Sequence, residues 1–86
     1  MRKLIRNNMK LNIITPEDVL YEGEVKSVRL QGTDGKFQIL NNHAPIISAL
    51  SKGQIRITDS EDKEITFDIN GGLVEMSKNK IQILAQ

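Results

Sequence analysis

Apolar residues recur at every second position in short segments along this chain, and turn-forming residues separate those segments. A period of two is the signature of a strand with one face buried and one face wet. Such segments fall at residues 11–14, 19–21, 25–30, 37–39, 44–50, 54–58, 64–69, 73–76 and 80–84. No window offers ten residues of helical periodicity. Eight to ten short strands at near-regular spacing predict an all-β fold, an antiparallel β-sandwich or flattened barrel. Gly23 stands between two apolar runs and predicts a bend or bulge. Residues 44–50 are the least polar stretch and predict a strand buried on both faces. The expected core is Leu11, Ile13, Val25, Val28, Leu30, Phe37, Ile39, Ile47, Leu50, Ile55, Ile57, Ile65, Phe67, Ile69, Leu73, Val74, Ile81 and Ile83. Each such side chain contributes roughly 1.5–3 kcal/mol when fully buried.

Eighty-six residues make one domain, and at this size folding buries only roughly 60% of the surface of the unfolded chain. The absence of cysteine rules out a disulfide framework and a thiolate metal site. No apolar run approaches the roughly 20 residues of a membrane-spanning helix. Charge is unevenly placed. Arg2, Lys3, Arg6 and Lys10 stand in a decapeptide without acidic residues, while the remainder holds eight Lys/Arg against eleven Asp/Glu, a net of −3. Residues 1–8 lack hydrophobic periodicity and the apolar region of a signal peptide, so a disordered basic extension ahead of a domain at 9–86 is expected.

Within the strand pattern, one stretch concentrates turn chemistry and the only histidine. Gly32, Thr33, Asp34, Gly35 and Lys36 form the tip of a hairpin, since Asp tolerates a left-handed backbone and Gly adopts positive φ freely. Asn41-Asn42 turns the chain again before His43, Ala44 and Pro45. Imidazole can act as base or metal ligand, but catalysis needs a nucleophile and an orienting partner, and a metal needs further ligands. A structural or interface role for His43 is the stronger reading. Asp59, Glu61 and Asp62 lack the spacing of a calcium loop and read as a solvated hairpin. The glycines form no phosphate loop, since no GxxxxGK[ST] pattern or following helix exists. Nucleic-acid binding on a sheet face wants stacking aromatics, and Tyr21, Phe37 and Phe67 are too few. These readings disfavour an enzyme, a metal site, a cofactor and a nucleic-acid partner.

The stretch from Gly32 to Pro45 resembles the ε subunit of F-type ATP synthases, whose N-terminal β-sandwich carries a G-[ST]-[ED]-G run followed by H-A-P. Thr15-Pro16-Glu17 with Tyr21, Gly23 and Val25 is similar to that family's opening. Gly53-Gln54-Ile55-Arg56-Ile57 and Gly71-Gly72-Leu73-Val74-Glu75-Met76 are similar to two later motifs. The four matches stand in order and cover most of residues 10–86. Met9-Lys10-Leu11 opens where the family opens, which makes Met9 a candidate start.

The resemblance implies a non-catalytic subunit of the central stalk. It would bind the γ subunit and the polar loops of the c-ring, peripheral to the cytoplasmic face of the inner membrane through the complex, and be a monomer when isolated. It places Gly32, Thr33, Asp34, Gly35 and Lys36 toward the c-ring, and Thr15, His43, Ala44 and Pro45 toward γ. Lys36 stands where an acidic residue is common, and Asn41-Asn42 replaces the frequent Pro-Gly. The sequence given ends at Ala85-Gln86, where many members continue into a two-helix domain tied to inhibition and ATP binding, so neither role is expected of these residues. The rival reading is a free-standing β-sandwich module for carbohydrate or peptide. Such modules display exposed Trp or Tyr platforms, and this chain has no Trp and one Tyr.

Overall fold

The structure, a computed structural model, describes residues 8–86, so the extension expected at 1–8 lies outside the described residues apart from Asn8. Asn8 Nδ2 donates to Glu24 Oε1 at 3.1 Å. Eight strands follow: β1 (Met9–Ile14), β2 (Val19–Gly32), β3 (Gly35–Leu40), β4 (Ile46–Leu50), β5 (Gly53–Asp59), β6 (Glu64–Ile69), β7 (Gly72–Ser77) and β8 (Lys80–Ala85). No helix occurs among the described residues.

The long strand β2 belongs to both layers. Its first half pairs with β1, from Ile13↔Tyr21 to Met9↔Val25, and β1 continues the layer through β8, β7 and β4. Its second half lies between β3 and β5, with β6 beyond β5. A single bridge, Gly32↔Leu50, brings the end of β2 back to β4 and partly closes a ring. Every pairing is antiparallel except β1–β8, where the two run parallel from Lys10↔Lys80 to Ile14↔Leu84. Parallel neighbours need a long connection, and here the whole intervening chain supplies it.

β2 carries two register shifts, the second where it changes layers, and neither is at Gly23. The pairing passes from Ile13↔Tyr21 to Ile14↔Val19, leaving Leu20 unpaired, and from Val25↔Asp59 to Ser27↔Thr58, leaving Lys26 unpaired. An extra residue bends a strand and increases its twist. Gly23 keeps regular register opposite Leu11. What it provides is room, since a Cβ there would lie 3.2 Å from the Tyr21 hydroxyl.

Alternation directs Met9, Leu11, Ile13, Val25, Val28, Leu30, Ile39, Leu50, Ile55, Ile57, Ile69, Val74, Met76, Ile81, Ile83 and Ala85 into one core. Phe37, Ile46, Ile65, Phe67 and Tyr21 pack against it half-buried, with Tyr21 and Phe67 edge-to-face at 6.1 Å. Two expected core residues are corrected. Ile47 is 69% exposed and Leu73 41% exposed. β4 is accordingly not buried on both faces: Ile46, Ser48 and Leu50 point inward, and Ile47 and Ala49 point out. The physical reason is that none of the described chain lies over this sheet's outer face.

Candidate functional site

The β2–β3 hairpin closes with Gly32 opposite Gly35, leaving Thr33-Asp34 as a two-residue turn. Gly35 has φ 128°, a region open to glycine. Gly32 allows a close approach, because a Cβ there would lie 2.9 Å from the Phe37 ring and 3.1 Å from the Gly35 carbonyl oxygen. The end of β4 braces the hairpin from the side. Thr33 N–H donates to the Ala49 carbonyl at 3.2 Å, Ser51 N–H to that of Gln31 at 2.8 Å, and Ser51 Oγ to that of Gly32 at 3.1 Å. Thr33, Asp34, Gly35 and Lys36 are all exposed. The tip is a polar knob on a fixed base.

His43, Ala44 and Pro45 are also exposed. Asn42 adopts φ 64°, and His43 N–H bonds back to the Leu40 carbonyl at 3.1 Å. His43 Nδ1–H meets the Ala44 carbonyl at 2.7 Å. Asn79, in the β7–β8 turn, pins this loop by accepting from Asn42 N–H at 2.9 Å and donating to Asn42 Oδ1 at 3.3 Å. No cluster of three or more His, Cys, Asp or Glu able to hold a metal occurs among the described residues. Thr15 shapes the entry to β2, accepting from Asp18 N–H at 3.0 Å while its own N–H bonds the Asp18 carbonyl at 2.8 Å.

The strand registers decide which of these residues meet. Ile14 pairs with Leu84, Leu84 with Leu73, and Leu73 with Ala49, whose carbonyl receives Thr33 N–H. Thr15 therefore stands on the same rim as the tip at 32–36. Ile46 pairs with Met76, near the β7–β8 turn, so His43, Ala44 and Pro45 stand on the opposite rim. The sequence reading grouped Thr15 with the 43–45 run. They occupy opposite rims, and what joins them is the outer face of the sheet between.

That face holds what sequence reasoning missed. Ile14, Leu84, Leu73 and Ala49 form one apolar row, with Val19 beside Ile14 and Ile47 one step along β4. Leu84 is 48% exposed and Val19 55% exposed. Thr15 and Pro16 wall the row at its β1 end, where a shallow groove runs along Leu73 and Leu84. Away from the tip the face turns polar through Asn12, Gln82 and Glu75, then basic at Lys10 and Lys80. The signal was available as adjacent apolar pairs inside strands: Ile13-Ile14, Ile46-Ile47, Leu73-Val74 and Ile83-Leu84. In a strand, two neighbours cannot both face the core.

No helix among the described residues is long and apolar enough to cross a membrane. Residues 8–86 match the family description of the ATP synthase delta/epsilon chain β-sandwich domain. The ATP synthase epsilon chain of Chlorobium limicola is 44% identical over 77 residues, covering 90% of this chain and 88% of that protein. That of Chlorobaculum tepidum is 42% identical over 76 residues. Against the epsilon chain of Leptospira interrogans, 41% identical, this chain spans 61% of the relative's length. Among solved structures, a chain of the Euglena gracilis mitochondrial ATP synthase superposes with a TM-score of 0.87 at 15% identity, over 96% of this chain and 53% of that one. A chain of the Tetrahymena thermophila mitochondrial ATP synthase central stalk and c-ring gives 0.74 at 18% identity. At such identities the superpositions speak for the fold. The family match and the curated relatives speak for kinship, and the chain belongs to the ATP synthase epsilon family, in its β-sandwich domain.

Proposed function

We propose that this domain is a non-catalytic rotor element of an F-type ATP synthase, joining the γ subunit to the c-ring so that proton-driven rotation reaches the catalytic head. The observation that carries the reading is an uncovered apolar row lying directly beside a braced polar tip. An apolar patch rimmed by polar residues marks a protein interface. In this reading γ covers the Ile14–Leu84–Leu73–Ala49 row together with Ile47, and Thr15 and the 43–45 run border the contact at its two rims. Gly32, Thr33, Asp34, Gly35 and Lys36 rest on the polar loops of the c-ring at the cytoplasmic face of the membrane. Torque transfer requires contacts that do not yield, and the hydrogen bonds from Thr33 and Ser51 support the tip against bending.

Reversing the tip charges, Asp34→Lys with Lys36→Glu, tests the c-ring contact while sparing both glycines. Exposed loop substitutions shift stability by less than about 0.5 kcal/mol, so folding and γ binding should persist. Attachment to the c-ring and proton-driven ATP synthesis in reconstituted vesicles should fall. The deficit should deepen with salt where the remaining contacts are ionic, since screening acts over about 8 Å at physiological ionic strength. Full attachment and full synthesis at every salt concentration would remove these charges from the mechanism.

A further inference from the structure

The outer face of the other sheet carries different chemistry. Arg29 on β2 pairs directly with Arg56 on β5, and both are exposed. Gln38 lies opposite Arg29 on its other side, and Lys36 opposite Gln31 one step along. Like charges directly opposed across strands destabilise a sheet. The ion pairs formed between described residues are Lys26–Asp62 at 2.7 Å and Lys63–Glu61 at 3.7 Å, so Arg29, Arg56 and Lys36 have none among the described residues. Glu64 and Asp68 of β6 border the face diagonally from Arg56, which pairs with Thr66. They reach neither guanidinium within ion-pair distance. A shallow cleft lies over the pair, lined by Arg29, Gln31, Lys36, Gln38, Gln54 and Arg56.

We propose that this cleft docks an acidic polypeptide segment whose carboxylates are taken by the Arg29–Arg56 pair. Two guanidinium forks on adjacent strands can each meet a carboxylate in bidentate fashion. The three glutamine amides offer donors and acceptors to the backbone of an extended segment. The basic character is local, on a chain whose residues 11–86 sum to −3, which favours a short acidic segment over a long polyanion. Nucleic acid would want fully exposed stacking aromatics, and the ring that borders this cleft, Phe37, is half-buried against the core. Anionic lipid is met by clusters of about four to eight cations, more than the three here. The face lies on the opposite side of the sandwich from the apolar row, so both can be occupied together.

The test is nuclear magnetic resonance titration of the full chain with an oligoglutamate peptide, an oligothymidylate of equal charge, and phosphatidylglycerol vesicles. Oligoglutamate should shift the Arg29 and Arg56 guanidinium signals and the amides of Gln31, Gln38 and Gln54, and should bind more tightly than the other two probes. Arg29→Gln with Arg56→Gln should weaken that binding about tenfold or more, as expected when two charge-assisted hydrogen-bonding groups are removed. Removing two opposed like charges should leave the thermal midpoint unchanged or higher. Shifts centred on Lys10, Lys78 and Lys80, affinity unaltered by the double substitution, or tighter binding to oligothymidylate or vesicles would each overturn the assignment. A lowered midpoint would show that the arginines serve the fold instead.

Discussion

Tyr21 is the sole tyrosine in a chain without tryptophan, and its ring is held between Phe67 and the space left by Gly23. Its phenol titrates above the ordinary value of about 10, first because burial disfavours the phenolate and second because Asp59 places a negative charge nearby. The folded state therefore holds this proton more tightly than the unfolded chain does. The resulting stability is fully present below about pH 10 and is lost as pH rises through the folded value. Ultraviolet titration of tyrosinate should give a single midpoint above 10 in the folded protein. Asp59→Asn should lower that midpoint without restoring the ordinary value, since burial is the larger cause. The amide also keeps an oxygen for the N–H groups of Glu61 and Lys63, which Asp59 Oδ1 now accepts at 2.8 and 2.9 Å. A native midpoint at or below 10 would contradict this account of the ring's surroundings.

Gly72 and Gly35 both need a positive φ, at 157° and 128°, yet they answer different demands of their strands. Around Gly35 no heavy atom would lie within 4 Å of an added Cβ, whereas at Gly72 that Cβ would collide with the Leu84 carbonyl oxygen across the β7–β8 ladder. Gly35→Ala should cost about 1 kcal/mol through backbone conformation alone. Gly72→Ala should cost more, with the excess appearing as faster amide exchange along β8. Equal losses in chemical denaturation would show that β7 yields without disturbing its neighbour. The strand pattern was legible from alternation, and all eight strands arise where period two and turn residues predicted them. The place where β2 bulges was misjudged. Glycine suggested position 23, but the informative mark was the three-residue step from Val25 to Val28, which only an unpaired Lys26 reconciles with both residues pointing inward. Long-range pairing such as Arg29 with Arg56 leaves no local trace, and the placing of Thr15 and His43 on opposite rims was illegible for the same reason. The tip itself was legible, because its turn chemistry is local.

For the molecule as a whole, the two sheet faces and the tip carry separable chemistry, and the separation can be tested on one partner at a time. Leu73 and Leu84 stand at the middle of the apolar row, paired with one another and each about half exposed. Their solvent-facing carbons contribute little to the core, which is formed by residues on the other side of the same strands. Leu73→Ser with Leu84→Ser should therefore change the stability of the isolated domain by no more than about 2 kcal/mol, two surface changes of about 0.5 kcal/mol each plus the loss of their cross-strand pairing, worth up to about 1 kcal/mol. If γ covers this row, both leucines sit at the centre of the contact, where truncation of a well-packed anchor costs about 2 kcal/mol or more. Affinity for γ should then fall by at least roughly thirtyfold, at about tenfold for each 1.4 kcal/mol. The tip reversal, Asp34→Lys with Lys36→Glu, should leave γ affinity intact while weakening the c-ring contact. The two variants must show opposite defects in binding measured by surface plasmon resonance against each purified partner. A leucine variant that keeps its γ affinity would move the γ contact off this face. A tip variant that loses γ affinity would mean that one continuous surface, running from the tip across the row, serves both partners.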